Sequence, residues 1–277
     1  VKESIILTVS DREPEVLLST FRWLMAGGLD ESEVIIVNDG SRIDYSWMRT
    51  LTDQMNARWL DLEPYECFKI DENFNNPARA FNVGLAAAKG ERIAVMSSDV
   101  IVPTRVLAQA RRQYTPDSVW CPMVIDLESS MEYCGPHRVF PMPWFLYMSR
   151  ELAVRAGGWD EAYLRGMCFE DNDFVGRVAL VADRIVCDWS SCVWHQSHYQ
   201  NAYENRPEVM EANKRNRQYT MGKWTGIPFG DADQVAFEIS RGRDESTGNF
   251  ALRFKDVKGI KDKVLAETVS PFVAVKA

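Results

Sequence analysis

The chain lacks any apolar run approaching the roughly 18 to 20 residues that a membrane-spanning helix requires, and no basic stretch leads into an apolar one near its start. A soluble chain is therefore expected. It also lacks an excess of cationic side chains: 32 lysines and arginines face 40 aspartates and glutamates, for a formal net charge of −8 and a pI near 5.1. A surface that coats a polyanion needs the opposite balance, so broad nucleic-acid binding is disfavoured. The six cysteines, Cys67, Cys121, Cys134, Cys168, Cys187 and Cys192, show no CxxC spacing. In a chain of this length they read as reduced thiols rather than as a disulfide framework, which points to a reducing, cytoplasmic setting. No internal repeat or low-complexity tract is present, and no glycine-rich, lysine-containing phosphate loop follows the first apolar run.

What is present is an ordinary globular composition, 277 residues with 46% hydrophobic, 26% charged and 11% aromatic side chains. Short apolar runs alternate with helical patterns through the first hundred residues. Ser4 to Val9 has strand length and β-branched character. Glu15 to Met25 follows, with Val16, Leu17, Thr20, Phe21 and Leu24 at helical spacing after Pro14, and Gly27-Gly28 stops it. Glu33 to Val37 predicts a second strand, Tyr45 to Asn56 a helix, and Cys67 to Ile70 a third strand. Asn76 to Ala88 predicts a helix and Arg92 to Met96 a fourth strand.

Strands separated by helices imply parallel pairing, and in such sheets ligands collect at the carboxyl ends of the strands. Thr8, Ser10 and Asp11 end the first strand, Asp39 the second and Asp99 the fourth, which favours a nucleotide site at that edge. The second half is less regular. Strands are expected at Val119 to Asp126 and Trp144 to Met148, and helices at Arg150 to Ala156 and Asp171 to Val181. The aromatic and proline cluster Pro141-Met142-Pro143-Trp144-Phe145 suits either a core edge or an acceptor wall, and core packing is favoured. Beyond Gly226, short β-like stretches at Gln234 to Ser240 and Asn249 to Phe254 suggest a C-terminal extension.

The step Phe169-Glu170-Asp171-Asn172-Asp173 lies between the glycine loop Gly157-Gly158 and the histidines of Trp194-His195-Gln196-Ser197-His198. Paired carboxylates in this setting can supply a proton acceptor and, with the histidines, a metal site. Acids at a helix start are also favoured simply by the helix dipole.

Ser4 to Arg12, Glu33 to Ser41 and Pro77 to Leu85, in this order and spacing, resemble the inverting family 2 glycosyltransferases with the GT-A fold. The resemblance runs over about residues 4 to 200. It implies a Rossmann-like α/β architecture, with a mixed, mainly parallel sheet flanked by helices. A GT-A domain over 1–225 would comprise a nucleotide-sugar half, about 1–103, and an acceptor half, about 104–225, followed by the extension 226–277. It further implies donor contacts from Thr8, Ser10, Asp11, Asp39, Arg79 and Ser98, with Asp39 at the uracil of a UDP-sugar.

The family's metal-binding DxD step is similar to Ser97-Ser98-Asp99, where serine replaces the first aspartate. That departure leaves Asp99, aided by His195 or His198, to hold Mn2+ or Mg2+, with manganese favoured by an imidazole ligand. Asp171 matches the family's base, and Glu170 would bind acceptor hydroxyls or orient it. The implied activity is transfer of a sugar from a nucleoside diphosphate donor to a hydroxyl of a glycan, lipid-linked, protein or modified-base acceptor. A retaining transferase and a degenerate sugar-nucleotide-binding domain are the alternatives, the second motivated by Ser97. A nucleotidyltransferase ranks last. The segment Arg206 to Arg217, with Lys214, Arg215 and Arg217 close together, could meet a phosphate-bearing acceptor, but a solvated helix face is the favoured reading.

Overall fold

The computed structural model describes residues 1–29, 31–63, 65–68, 76–196, 206–229, 237–245, 247–256 and 259–273. The first strand, β1 (Glu3–Val9), is buried along nearly its whole length. Pro14 opens helix α1 (Pro14–Ala26), which turns Leu17, Thr20, Phe21 and Leu24 inward and ends at Gly27. A proline suits that first turn because its missing N–H would have no intrahelical partner there. Strand β2 (Ser32–Asn38) follows.

The third strand departs from the sequence expectation. Helix α2 (Ser46–Thr52) runs into a 3-10 turn (Asp53–Met55), and Asn56 reverses the chain in the left-handed region at φ 51°. Strand β3 (Ala57–Asp61) begins at once, pairing parallel with β2 from Val34↔Ala57 to Asn38↔Asp61. Only partly buried, β3 has the mixed composition of an edge, which hides it from a search for apolar runs. Cys67 and Phe68 are not in a strand; Lys69 and Ile70 lie outside the described residues.

Helix α3 (Ala78–Ala87) leads to β4 (Arg92–Ser97) and to the two-residue β5 (Val100–Ile101). Then come α4 (Thr104–Gln113), β6 (Ser118–Asp126), β7 (Glu132–Cys134), β8 (Phe145–Ser149) and α5 (Arg150–Arg155). A 3-10 turn (Glu161–Arg165), α6 (Glu170–Val181), β9 (Arg184–His195) and α7 (Pro207–Trp224) complete the second half. The last elements are β10 (Phe237–Arg243), β11 (Phe250–Asp256) and α8 (Ile260–Ala266).

Among the described residues eleven strands form one sheet, ordered β10-β11-β9-β6-β8-β4-β1-β2-β3, with β5 on β9 and β7 on β6. The run from β4 to β3 is parallel, as is β6 with β9, whereas β8 pairs antiparallel with both β4 and β6. The sheet is therefore mixed α/β, with its parallel block at the amino-terminal end. Strand β11 pairs antiparallel with β9, so the chain beyond Gly226 continues this same sheet. Strand order reverses between β1 and β4, and there the carboxyl ends diverge to leave a crevice.

The glycine pair after α5 is where the halves meet. Gly158 has φ 63°, and a Cβ there would stand 2.5 Å from Asn82 Oδ1 and 2.6 Å from the Phe272 ring. Both the conformation and the close approach exclude a side chain. Asn82, on α3, locks the loop by accepting from Trp159 N at 2.8 Å and donating to Trp159 O at 2.9 Å. The Trp159 ring is sandwiched between Phe81 and Phe174, with centroids at 4.4 and 3.6 Å. The six cysteines form no disulfide.

Candidate active site

Parallel register sets the first wall of the crevice, because Thr8 on β1 lies opposite Ser97 on β4. Thr8, Ser10, Ser98, Asp99, His195, Glu170 and Asp171 all line one cleft of about 340 Å³, together with Arg12, Trp144 and Cys168. Residues far apart in the chain are thus brought to one place. The Ser98 carbonyl accepts from Thr20 Oγ1 at 2.9 Å, and Asp99 O accepts from Gln196 N at 2.8 Å, so the strand end is braced from both sides.

Three expected donor contacts lie beside this cleft rather than on its wall. The Asp11 carboxylate accepts from the backbone N–H groups of Arg42 and Ile43 at 2.6 and 3.1 Å, which makes it a brace between the first loop and the loop after β2. Asp39 is buried and accepts from the Tyr65 hydroxyl at 2.9 Å. The Arg79 guanidinium stacks 4.4 Å above the Tyr65 ring, linking Asp39 and Arg79 through a side chain that the sequence did not single out.

Two strand pairings build the histidine site. His195 is the register partner of Val100 on β5 and of Asp126 on β6. Its Nδ1 lies 3.2 Å from Asp126 Oδ2, and its Nε2 faces Asp99 Oδ2 at 3.9 Å. A carboxylate on one imidazole nitrogen fixes the tautomer and leaves the other nitrogen as a donor to a cation. Asp99 and His195 thus place an oxygen and a nitrogen where they could hold a divalent ion, a donor pair that would suit Mn2+ or Mg2+. Among the described residues no group of three histidine, cysteine or carboxylate side chains could hold a metal by itself. His198 lies outside the described residues. Asp126 was missed by sequence reasoning although it also ends a strand. Arg12, next to the first motif, was missed as well, and its Nη2 is 2.9 Å from Asp99 Oδ2.

The opposite wall is the start of α6. Cys168 and Phe169 both adopt left-handed φ, 62° and 72°, which is uncommon for residues with a Cβ and characteristic of strained functional turns. The Asn216 amide holds this turn by donating to Cys168 O at 2.9 Å. Glu170 is buried and accepts from Asn76 Nδ2 at 2.8 Å. Burial pushes its carboxyl up to about 7, against the lowering pull of Asn76. Asp171 is raised well above the usual carboxylate range, first by burial and then by the neighbouring charge of Glu170. The Trp159 indole works in the opposite direction but closes no hydrogen bond in this geometry, and Asp171 Oδ1 is buried with no hydrogen-bond partner among the described residues.

Asp173, two residues on, faces away from the chemistry. It accepts from Arg177 Nε at 2.8 Å and Trp224 Nε1 at 2.7 Å, and pairs with Lys223 Nζ at 2.8 Å. Burial acts to raise its carboxyl, but Arg177 and Lys223 hold it below the usual range.

The raised Glu170 carboxyl has a measurable consequence for stability. Its folded value of about 7 exceeds its ordinary 4.5, so the folded state binds the proton more tightly and stability falls as pH climbs between those values. Glu170→Gln is expected to stabilise the fold by about 3 kcal/mol at pH 8 and to have almost no effect below pH 4.5. Thermal melts of both proteins across that range check it, and a benefit independent of pH would contradict the assignment.

Comparison with solved structures places the fold among GT-A glycosyltransferases. Residues 1–349 of S. aureus TarS in complex with UDP-GlcNAc align at TM-score 0.60 and 16% identity, covering 80% of this chain and 67% of that one. A mannosyltransferase from Pyrobaculum calidifontis in complex with GDP-Man and Mn2+ aligns at 0.53 and 17% identity, over 75% of this chain and 58% of that one. GalNAc-T7 with UDP, GalNAc and Mn2+ aligns at 0.58 and 13% identity, over 81% of this chain and 48% of that one. This chain thus spans only part of each of these proteins. The chain belongs to glycosyl transferase family 2, whose model matches residues 4–164, more than half of its length. No curated protein sequence matches it significantly. Among the described residues no helix is long and apolar enough to cross a membrane.

Proposed function

We propose that this protein transfers a sugar from a nucleoside diphosphate donor, a UDP-sugar in preference to others, to an acceptor hydroxyl with inversion, and that Asp171 is the base. The observation that carries this reading is the unpartnered Asp171 oxygen, buried on a cleft wall that faces Arg12, Asp99 and His195. A sugar hydroxyl donating to that oxygen would satisfy it. A carboxylate with a raised pKa is also a stronger proton acceptor than an ordinary one. In the reaction the acceptor oxygen attacks the anomeric carbon as its proton passes to Asp171. The bond from that carbon to the β-phosphate oxygen breaks, and the nucleoside diphosphate leaves.

Asp39, through its pairing with Tyr65, would receive the base, while Thr8, Ser10 and Ser98 line the donor side. Asp99 and His195 would hold a divalent cation, with manganese preferred. Such an ion neutralises charge developing on the leaving diphosphate. The cation-binding relatives support this part of the reading only by analogy of fold. Glu170 keeps a second carboxyl oriented beside the base through Asn76.

The direct test is release of UDP or GDP from a panel of sugar nucleotides, with and without Mn2+, with the anomeric coupling of fresh product read by proton resonance. Turnover with inversion is expected. Failure to release diphosphate from any donor, with or without added glycans, would defeat the reading. Asp99→Ala is expected to abolish the metal-dependent part of donor affinity in calorimetry, since Asp99 is the only carboxylate in its step. An affinity that remains metal-dependent would remove Asp99 from the site.

A further inference from the structure

Arg12 enters the cleft on a backbone held from two sides. The preceding residue, Asp11, has φ 42°; it donates from its backbone N–H to Ser41 Oγ at 3.0 Å and is clamped by the amides after β2. The Arg12 carbonyl accepts from the Tyr45 hydroxyl at 2.7 Å. The side chain is thus directed by a rigid loop, and it is 11% exposed. Its Nη2 takes the same Asp99 oxygen that His195 Nε2 faces, at 2.9 against 3.9 Å. Among the described residues its Nη1 reaches only a distant edge contact with Glu13, at 3.8 Å, and its buried Nε–H has no hydrogen-bond partner.

Two features of this arrangement conflict with a resting metal site. A cation bridging His195 Nε2 and Asp99 Oδ2 would meet the guanidinium on that same oxygen, and two positive charges would then share one carboxylate. Serine at position 97 supplies no second carboxylate to accommodate both. The guanidinium also keeps an unsatisfied donor at the carboxyl end of β1, where the crevice opens. Arginine presents its donors in a planar fork suited to phosphate oxygens, and a buried donor left unpaired favours any state that satisfies it.

From this we infer that Arg12 is an exchangeable cation. It occupies Asp99 when the cleft is empty and turns to the donor's diphosphate when a divalent ion takes the Asp99 oxygen, so that it restrains the ion and binds the donor in turn. The inference rests on the donor reading given above. Its consequence is positive coupling: diphosphate draws Arg12 away and so opens the ion site, and the ion by displacing Arg12 presents it to diphosphate. Linkage requires the two effects to be equal.

The test uses the whole chain, Mn2+ and UDP, without any turnover. Free Mn2+ is followed by electron paramagnetic resonance and UDP affinity by calorimetry, each in the presence and absence of the other. In Arg12→Ala, Mn2+ alone is expected to bind about tenfold tighter and UDP alone about tenfold weaker, with the coupling between them largely lost. Arg12→Lys, which keeps the charge without the fork, is expected to fall between the two proteins and guards against a folding defect in the alanine variant. Equal or weaker Mn2+ binding in Arg12→Ala would overturn the competition, and unchanged UDP affinity would overturn the diphosphate contact. If the wild type binds UDP and Mn2+ independently, the exchange is wrong while the donor reading stands. If it binds neither, the donor reading fails and takes this inference with it.

Discussion

Asp171→Asn is expected to lower turnover by about 10² or more while leaving donor affinity close to that of the wild type. The amide keeps the shape of the carboxylate and can still accept a hydrogen bond, but it cannot take up the acceptor's proton. Binding and chemistry should therefore separate. The pH profile sharpens the test. Because burial and Glu170 raise the Asp171 carboxyl, and because Glu170 itself is raised to about 7, the acid limb of the wild-type rate should lie well above the ordinary aspartate value of 3.8. Activity falls as pH drops through that limb, since the protonated acid cannot act as base, and the variant should lack it. A parallel loss of donor affinity and rate would make Asp171 a donor-side or structural residue. Full activity would move the base to Glu170, because Asp173 is committed to Arg177, Lys223 and Trp224.

Lys223→Met is expected to cost about 3 to 5 kcal/mol and to lower Tm by roughly 6 to 15 °C. Lys223 Nζ lies 2.7 Å from Asp160 Oδ2 and 2.8 Å from Asp173 Oδ1, with all three side chains at 0% exposure. It also donates to Thr268 Oγ1 at 3.0 Å. The methionine fills similar volume, so the loss reports the stranded carboxylates rather than a cavity; Asp173 still has Arg177, whereas Asp160 keeps only neutral donors such as the Tyr219 hydroxyl. Urea melts measure the effect, and a loss below about 1 kcal/mol would show that the network contributes little beyond packing. Adding Asp160→Asn should cost less than the sum of the two single changes, as expected for direct partners. The pH dependence has a definite sign. Asp173 is held below its ordinary 3.8, so its contribution in the wild type is complete above that value and is lost as pH falls through the folded one.

Much of the amino-terminal half could be read from the chain, because its signals are local. Pro14, the inward spacing of Leu17, Phe21 and Leu24, and Gly27 define α1 within about a residue, and apolar runs mark β1, β2 and β4. The polar residues at those strand ends were visible for the same reason, and so were Glu170 and Asp171. Other parts depend on pairing across the sheet. Nothing near Asp126 indicates that parallel register with β9 will set it against His195, and nothing near Asp173 points to Lys223. Strand β3 lacked an apolar run because it is an edge. Arg12 was passed over because its role follows from where a loop directs it, which composition does not encode.

The Gly157-Gly158 loop is finished by residues that come much later in the chain. Val269 N donates to Asp160 Oδ1 at 3.0 Å across 109 positions, Ser270 Oγ donates to Gly157 O, and Phe272 covers Gly158. The cleft wall between β1 and β4 closes over a comparable span, from Thr8 to Ser97, but it lies wholly earlier in the chain. During synthesis β1, β2 and β4 can therefore pair while Val269 to Phe272 are still in the ribosome. Because closure cost grows only slowly with loop length, the order of synthesis rather than the separation sets which wall of the cleft forms first. A nascent chain would thus form the strand-end wall of the cleft before Val269, Ser270 and Phe272 could brace the Gly157-Gly158 loop on its far side.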